Sequence, residues 1–133
     1  METIRTSVWA VLMGGSLFAL HVAIGQQSGV KRTDLQQHDL DIPGREVVQA
    51  RVELASGVTV PRHWHPGDEI VFMLEGLLEY RLDGRAPVTL KAGEVLFIPA
   101  KTIHAARNVG TGNGAELATY IVEKGKQLVV FVK

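Results

Sequence analysis

The sequence predicts an all-β fold, built as one closed or double-sheet antiparallel domain, and three observations lead to that prediction. Short segments in which apolar and polar residues alternate recur along the chain from Glu46 onward. Turn-forming residues, mostly glycine and proline, separate these segments at short intervals. After the first 25 residues, no dozen consecutive residues follow the helical period. Many short strands at this spacing are typical of β-sandwiches and β-barrels.

The predicted strands follow one another with little intervening sequence. The first begins at Glu46 and places an apolar residue at every second position from Val48 to Leu54. Asp83 and Gly84 predict a two-residue hairpin, because both residues suit central positions with positive φ. The later strands are predicted at 58–65, 69–75, 77–82, 87–90, 94–98, 103–109, 116–123 and 127–132.

Residues 1–25 have the organisation of a secretory signal peptide. Arg5 precedes an apolar run over residues 8–20, and the small residues Ala23 and Gly25 then match the cleavage pattern. The apolar run is short for a membrane span, which needs roughly 20 residues, and an uncleaved N-terminal anchor is the alternative. We therefore expect a periplasmic or secreted protein with no stable membrane anchor after cleavage.

The rest of the chain divides into an arm and one domain. Residues 26–45 are polar without a clear period and predict an N-terminal arm that ends in a turn. Residues 46–133 predict a single β-barrel domain, which suits a chain of 133 residues.

Charge and cysteine content exclude several classes of function. Lysine plus arginine and aspartate plus glutamate number 14 each, so the balanced charge predicts no nucleic-acid partner and no anionic membrane surface. The chain has no cysteine, which excludes disulfides, thiolate nucleophiles and thiolate metal sites.

Three histidines and one glutamate form a candidate metal site. His63 and His65 are two residues apart, so both project from the same face of a strand. Glu69 begins the next predicted strand, and His104 begins a later one. If these faces line one barrel, the four side chains converge on a divalent transition metal: manganese, iron, nickel, copper or zinc. Each residue alone has an ordinary interpretation as a solvated or core side chain, and only the combination favours a metal.

The same alternation predicts the lining of a small-molecule pocket. Its expected residues are small or apolar, and they are Thr59, Val71, Met73, Ala106 and Asn108. This set contains no general acid or base. Arg51 and Arg62 are either partners for a substrate carboxylate or solvated strand arginines. His38 is predicted to be solvated, and His21 lies in the predicted signal peptide.

The sequence resembles the cupin superfamily from about residue 46 to residue 132. The first cupin motif reads Gly, five residues, His, one, His, three or four, Glu, six, Gly. Its positions are filled by Gly57, His63, His65, Glu69 and Gly76. The second motif is matched by Gly93, Pro99, His104 and Asn108. Lys101 stands where the family usually has glycine, and a positive φ there would cost about 1 kcal/mol.

The resemblance implies a double-stranded β-helix, the jelly-roll barrel of two antiparallel sheets. It also implies that the metal ligands are His63, His65, Glu69 and His104. Cupins often dimerise, so the resemblance implies a homodimer in which the terminal strands, near residues 47–54 and 128–132, pair or pack across the interface.

The resemblance leaves the activity open, because one fold hosts many functions. Our first hypothesis is a metal-dependent oxidoreductase of the dioxygenase type, acting on a small, oxygen-rich and anionic molecule. The alternative is a non-enzymatic periplasmic module that binds a metal and a small ligand. A third possibility is a metal-assisted isomerase or lyase, which requires a proton shuttle that the predicted pocket lacks.

Overall fold

The computed structural model describes residues 27–133, and the predicted signal peptide lies outside them. Within this range the chain forms ten strands and no helix, which confirms the all-β prediction. The strands are β1 (Val30–Asp39), β2 (Arg45–Leu54), β3 (Thr59–Trp64), β4 (Gly67–Glu75), β5 (Leu77–Leu82), β6 (Val88–Lys91), β7 (Val95–Ile98), β8 (His104–Asn108), β9 (Gly114–Glu123) and β10 (Val130–Phe131). No helix in this part of the chain is available to cross a membrane.

The strands form two five-stranded antiparallel sheets that face each other as a jelly roll. Sheet A has the order β1-β2-β9-β4-β7, and sheet B has the order β10-β3-β8-β5-β6. Strands that are neighbours in space are therefore often distant in sequence. The two halves of the predicted metal site come together in this arrangement. β3 pairs with β8 in sheet B, and β4 faces them from sheet A.

The apolar core fills the space between the sheets. Along β2 the alternation is complete, with Val48, Ala50, Val52 and Leu54 all at most 2% exposed. Along β4 the same alternation buries Glu69 together with Val71 and Met73. The sequence pattern therefore predicts the inward face of both strands correctly.

β1 is a strand that the sequence pattern does not predict. It lies within the segment expected to be an arm, and it pairs antiparallel with β2 along its whole length apart from a bulge between Asp34 and Gln36. Most of its residues are exposed, so the apolar alternation that identifies the other strands is missing. Pairing with β2 supplies its backbone hydrogen bonds instead.

Two further expectations differ from the structure. At the predicted hairpin only Gly84 has a positive φ (77°), and the β5–β6 ladder ends at Tyr80 and Val88, so a longer loop connects the strands. β2 lies between β1 and β9 and has no free edge, so it cannot pair with a second copy of the chain. The homodimer itself stays a prediction.

Gly67 fixes the point at which β4 begins. A Cβ atom at this residue would collide with the carbonyl oxygen of Ile121 on β9, so only glycine allows this approach of the two strands. Since Glu69 follows two residues later, the close contact sets the position of its carboxylate.

Candidate metal centre

The structure brings the four predicted ligands together inside the barrel. His63 on β3 is paired directly with His104 on β8. His65 lies just after β3, and Glu69 projects from β4 in the opposite sheet. All four are buried, with exposures between 2% and 4%. Four polar side chains thus meet where the core is otherwise largely apolar.

The distances among these side chains suit a single ion. One ring nitrogen from each histidine lies within 4.8 Å of the others. The Glu69 Oε2 atom lies 3.1 Å from His65 Nε2 and 3.2 Å from His104 Nε2. Two ligand atoms bound at right angles, each about 2.1 Å from a metal, lie about 3.0 Å apart. The two glutamate–histidine spacings are close to that value, and the three histidines form a group that offers three further ligand atoms.

Backbone carbonyls fix the orientation of all three imidazoles. Each Nδ1 atom is within hydrogen-bond distance of a main-chain oxygen: His63 with Pro61 (2.6 Å), His65 with Leu128 (2.7 Å) and His104 with Thr102 (2.9 Å). A carbonyl only accepts, so each neutral ring donates its proton from Nδ1. The Nε2 lone pairs are then free to bind a metal, as in metalloproteins whose histidines are held by a backbone oxygen.

Two buried atoms of this cluster lack a hydrogen-bond partner. They are His65 Nε2 and Glu69 Oε2, which lie close to each other without the geometry of a hydrogen bond. Buried polar atoms without partners are costly, and a cation between them removes that cost. The nitrogen-rich donor set with one carboxylate therefore fits a divalent transition metal, although it does not select among them.

Burial and mutual charge shift the pKa values of these groups. Burial, together with charge at His104 and His65, lowers the pKa of His63 to about 3. Burial acts to raise the pKa of Glu69, but the adjacent His65 and His104 rings outweigh it and hold that pKa below its usual range. Burial acts to lower the pKa of His104, yet the Glu69 carboxylate raises it overall. In the metal-free site, His63 is neutral and Glu69 is ionised.

A small cavity adjoins the cluster. Its volume is about 20 Å³, which is room for one ion or one water. Residues of both sheets line it: Val52, Val60, His63, Glu69, Tyr80, His104, Ala106, Glu116 and Tyr120. The site therefore accepts a small ligand, and a larger one requires side chains to move.

The predicted pocket lining is correct in part. Ala106 lines the cavity, whereas Val71 and Met73 are fully buried outside its lining. Thr59 is on the outer face, and its neighbour Val60 faces the cavity instead. The reason is a register shift between Val60 and His63, which breaks the two-residue alternation on which the prediction rests.

Asn108 has a structural position. Its side-chain amide donates to the carbonyl oxygens of Leu54 and Gly112, both at 2.8 Å, and its Oδ1 accepts from the Gly110 amide at 2.9 Å. With all these bonds made inside the protein, Asn108 anchors the loop after β8 to β2 and does not line the cavity.

The two candidate substrate arginines have partners on the protein surface. Arg62 is 56% exposed and bonds to Asp83 at 2.6 Å. Arg51 lies near Glu53 (3.4 Å) and Glu75 (3.8 Å). Neither lines the cavity, so the interpretation as solvated strand arginines is the one that fits. His38 is exposed, as predicted.

The cavity wall contains a hydrogen-bonded glutamate–tyrosine pair that the sequence pattern did not predict. Glu116 on β9 is 6% exposed and accepts a hydrogen bond from the Tyr80 hydroxyl on β5. Burial and the charge of Glu69 raise the pKa of Glu116 to about 8. Burial and Glu116 raise the pKa of Tyr80 well above its usual value. The available signal was the inward alternation of β9, which places Glu116 on the same face as Ala118 and Tyr120.

Comparison with known protein families agrees with the fold. Residues 50–123 match the model of the cupin domain family. The chain therefore belongs to the cupin family.

Similar curated proteins include enzymes. Dimethylsulfoniopropionate lyase DddQ from Ruegeria pomeroyi is 38% identical over 56 residues, which cover 42% of this chain and 28% of that protein. Germin-like protein 1 from Brassica napus is 33% identical over 82 residues, covering 58% of this chain and 40% of that protein. The chain thus spans less than half the length of these relatives.

Solved structures give the same family relationship. The crystal structure of the lyase DddQ has a TM-score of 0.59 and 27% identity, covering 65% of this chain and 43% of that chain. Oxalate oxidase in complex with the substrate analogue glycolate has a TM-score of 0.62 and 27% identity, covering 78% and 55%. The polyketide cyclase RemF from Streptomyces resistomycificus has a TM-score of 0.63 at 21% identity, covering 80% and 72%, and supports the fold alone.

Proposed function

We propose that this chain is a metal-dependent cupin enzyme that moves a proton on a small carboxylate, in the lyase or isomerase class. One observation carries the proposal: the hydrogen-bonded Tyr80–Glu116 pair lines the same cavity as the histidine cluster. The pocket predicted from the sequence contained no proton shuttle, so the lyase or isomerase class was only the third possibility. Glu116 supplies one, so it becomes the first candidate.

The division of labour follows from the side chains. A bound divalent metal would polarise a substrate oxygen as a Lewis acid. In the metal-free site, burial and the charge of Glu69 raise the pKa of Glu116 to about 8, and this carboxyl group in the cavity wall is the one that gives or takes the proton. The Tyr80 hydroxyl orients the Glu116 carboxyl by hydrogen bonding. His63 and His104 keep their Nδ1 protons, which they donate in hydrogen bonds to backbone oxygens. The proton transfer is therefore left to Glu116.

A small carboxylate is the substrate class that the charges favour. Three neutral histidines and one carboxylate leave a dication with about one net positive charge, which attracts an anion. Dimethylsulfoniopropionate and oxalate, the substrates named for two similar proteins, are both carboxylates. Because the cavity holds only one ion or one water as it stands, a carboxylate substrate requires side chains of the lining to move.

A dioxygenase-type oxidoreductase is the second candidate. The likeness to oxalate oxidase favours it, as does a ligand set that leaves coordination positions open. That chemistry needs oxygen as a co-substrate, and it does not require Glu116. The two candidates are therefore separable by experiment.

The test compares wild-type protein, Glu116→Gln and the control Glu94→Gln, a half-buried glutamate outside the cavity lining. Each protein is loaded separately with iron, manganese, nickel, copper and zinc. Small carboxylates are incubated with each protein in D₂O, and proton NMR follows deuterium exchange next to the carboxylate and any elimination product. An oxygen electrode records uptake in parallel. Elemental analysis establishes the metal content of every sample.

We expect exchange or elimination without oxygen uptake in wild type and Glu94→Gln. Glu116→Gln should lose at least about 100-fold in rate at unchanged metal content, the usual contribution of a general acid–base group. Oxygen uptake that survives in Glu116→Gln would replace the proposal with the oxidoreductase. Carboxylate binding with no turnover under any metal would leave a ligand-binding module.

Export and dimerisation remain proposals. Residues 1–25 carry the signal-peptide pattern, and we propose that the protein acts in the periplasm or outside the cell. We also propose a homodimer. N-terminal sequencing of protein from the exported fraction tests the first proposal, and light scattering tests the second.

A further inference from the structure

Arg32 on β1 is a buried cation with unused hydrogen-bond donors. Its side chain is only 3% exposed. Its Nε atom donates to Asp34 Oδ1 at 2.8 Å, but Nη1 and Nη2 are buried with no partner. Because an arginine stays charged at any ordinary pH, two unmet guanidinium nitrogens represent a real cost to the folded protein.

The strand register directs Arg32 toward the metal-site cavity. Arg32 is paired with Val52 on β2, and Val52 is paired with Glu116 on β9. Residues paired across antiparallel strands project from the same face of a sheet. Since Val52 and Glu116 both line the cavity, Arg32 projects into the same interior one strand further out.

The guanidinium group also lies against a third cavity residue. Its central carbon is 5.5 Å from the centre of the Tyr120 ring, within the range of a cation–π contact. The Tyr120 ring in turn lies 4.8 Å from that of His65. Arg32 is thus separated from the histidine cluster by one aromatic side chain.

Asp34 does not complete the electrostatic environment of Arg32. Its side chain is 59% exposed and occupies only Nε. The charge of Arg32 acts to lower the pKa of the buried Glu116, but Asp34 is the one acidic side chain among the described residues that lies within ion-pair distance of Arg32. The two remaining nitrogens, Nη1 and Nη2, are buried without a partner, and a guanidinium can bind a carboxylate through two parallel hydrogen bonds.

We propose that Arg32 is a specificity residue that binds the carboxylate of the substrate through Nη1 and Nη2. The inference rests on the proposed function and adds to it the residue that recognises the anion. Binding supplies the missing acceptors, while the rest of the molecule extends toward the histidine cluster. Tyr120 is the side chain that must shift to connect the two ends, because the cavity is too small as it stands.

The experiment measures malonate binding by isothermal titration calorimetry to the purified chain, both metal-free and loaded with zinc. It compares wild type, Arg32→Met and the control Arg62→Met, which removes an exposed arginine paired with Asp83. Malonamide serves as the uncharged probe of similar shape. Thermal midpoints without ligand are recorded for each protein.

We expect Arg32→Met to raise the Kd for malonate about tenfold or more in both forms, because charge-assisted hydrogen bonds are lost. Arg62→Met should stay within about twofold of wild type, and malonamide should not bind measurably. The unliganded thermal midpoint of Arg32→Met should equal or exceed that of wild type, since a buried charge with unmet donors is removed.

If Arg32→Met binds malonate with the affinity of wild type, the proposal is overturned. If its unliganded thermal midpoint is also lower than that of wild type, Arg32 is a purely structural residue. If Arg32→Met does not fold, ¹⁵N NMR of the wild-type arginine Nε–H groups decides. The signal that is missing from the spectrum of Arg32→Lys is assigned to Arg32. Adding malonate to the wild-type protein should shift this signal, and an unchanged signal would refute the proposal.

These readouts do not depend on turnover. Malonate binding through Arg32 without any proton exchange would defeat the proposed activity and leave Arg32 as an anion-binding residue. Proton exchange that persists at wild-type KM in Arg32→Met would defeat the Arg32 proposal alone.

Discussion

The backbone amide of Lys101 donates a hydrogen bond to the carbonyl oxygen of His65 at 3.0 Å. This bond joins the turn before β8 to the turn that carries a metal-site histidine. Lys101 makes it from a left-handed backbone conformation, with φ of 61°, and it is the one non-glycine residue with positive φ among residues 27–133. The turn keeps the conformation of a glycine although the sequence supplies a lysine.

Replacing Lys101 by glycine should stabilise the protein. A left-handed conformation costs an L-residue about 1–2 kcal/mol, and the greater freedom of glycine in the unfolded chain offsets about 0.5–1 kcal/mol of that. We expect Lys101→Gly to raise the free energy of unfolding by about 0.5–1 kcal/mol, as measured by urea denaturation. Lys126→Gly, at an exposed turn residue without positive φ, should lower it. A lower value for Lys101→Gly would show that the lysine side chain compensates for the strain.

Single ligand substitutions should empty the metal site. His63→Ala and His104→Ala each remove one of the clustered nitrogens, and we expect each to weaken zinc binding by more than about 100-fold. His38→Ala is the matched control, because His38 is exposed on β1 and should leave the affinity unchanged. Competition with a chromogenic chelator gives the three dissociation constants. Equal losses in all three variants would contradict the assigned ligand set.

Metal affinity should increase with pH from below neutrality. The Glu69 carboxylate raises the pKa of His104 despite burial, so His104 carries a proton at pH values where an ordinary histidine has lost it. A metal must displace that proton, and affinity should rise up to about tenfold per pH unit until His104 is neutral. His63, with a pKa of about 3, adds nothing to this range. A zinc affinity that is constant between pH 5.5 and 8 would contradict the competition.

The fold was largely predictable because most of the strands bury one face and expose the other. Residues 46–54 show this pattern without interruption, and the structure agrees. β1 escaped prediction because it is mostly solvated, and its buried side chains are one apolar residue at its start, Val30, and one polar residue, Arg32. Alternation identifies strands only where apolar burial accompanies it.

The histidine cluster was predictable from motif spacing, whereas the opposite wall of the cavity was not. Glu116 and Tyr80 lie outside both motifs and 36 residues apart, and the packing of the two sheets against each other brings them together. Thr59 was misplaced because a register shift in β3 cannot be read from alternation. Long-range pairing and bulges are therefore the two features that limit prediction of this site.

Removing the charge of Glu116 should change how the stability of the metal-free protein depends on pH. The folded pKa of about 8 lies above the unfolded value of 4.5, so the folded state keeps a proton that the unfolded chain releases. This contribution is fully present below pH 4.5 and declines by up to about 1.4 kcal/mol per pH unit as the pH rises toward 8. Glu116→Gln cannot ionise, and its amide oxygen can still accept the Tyr80 hydrogen bond.

We therefore expect the stability of Glu116→Gln relative to wild type to increase steadily between pH 5 and pH 8 in urea denaturation. The opposite slope caused by the lowered pKa of His63 is present in both proteins and cancels in the difference. Glu94→Gln, at a half-buried glutamate outside the cavity lining, is the control for the substitution itself. Parallel stability curves for wild type and Glu116→Gln would mean that Glu116 ionises at its ordinary pKa. The acid–base role proposed for it would then lose its physical basis.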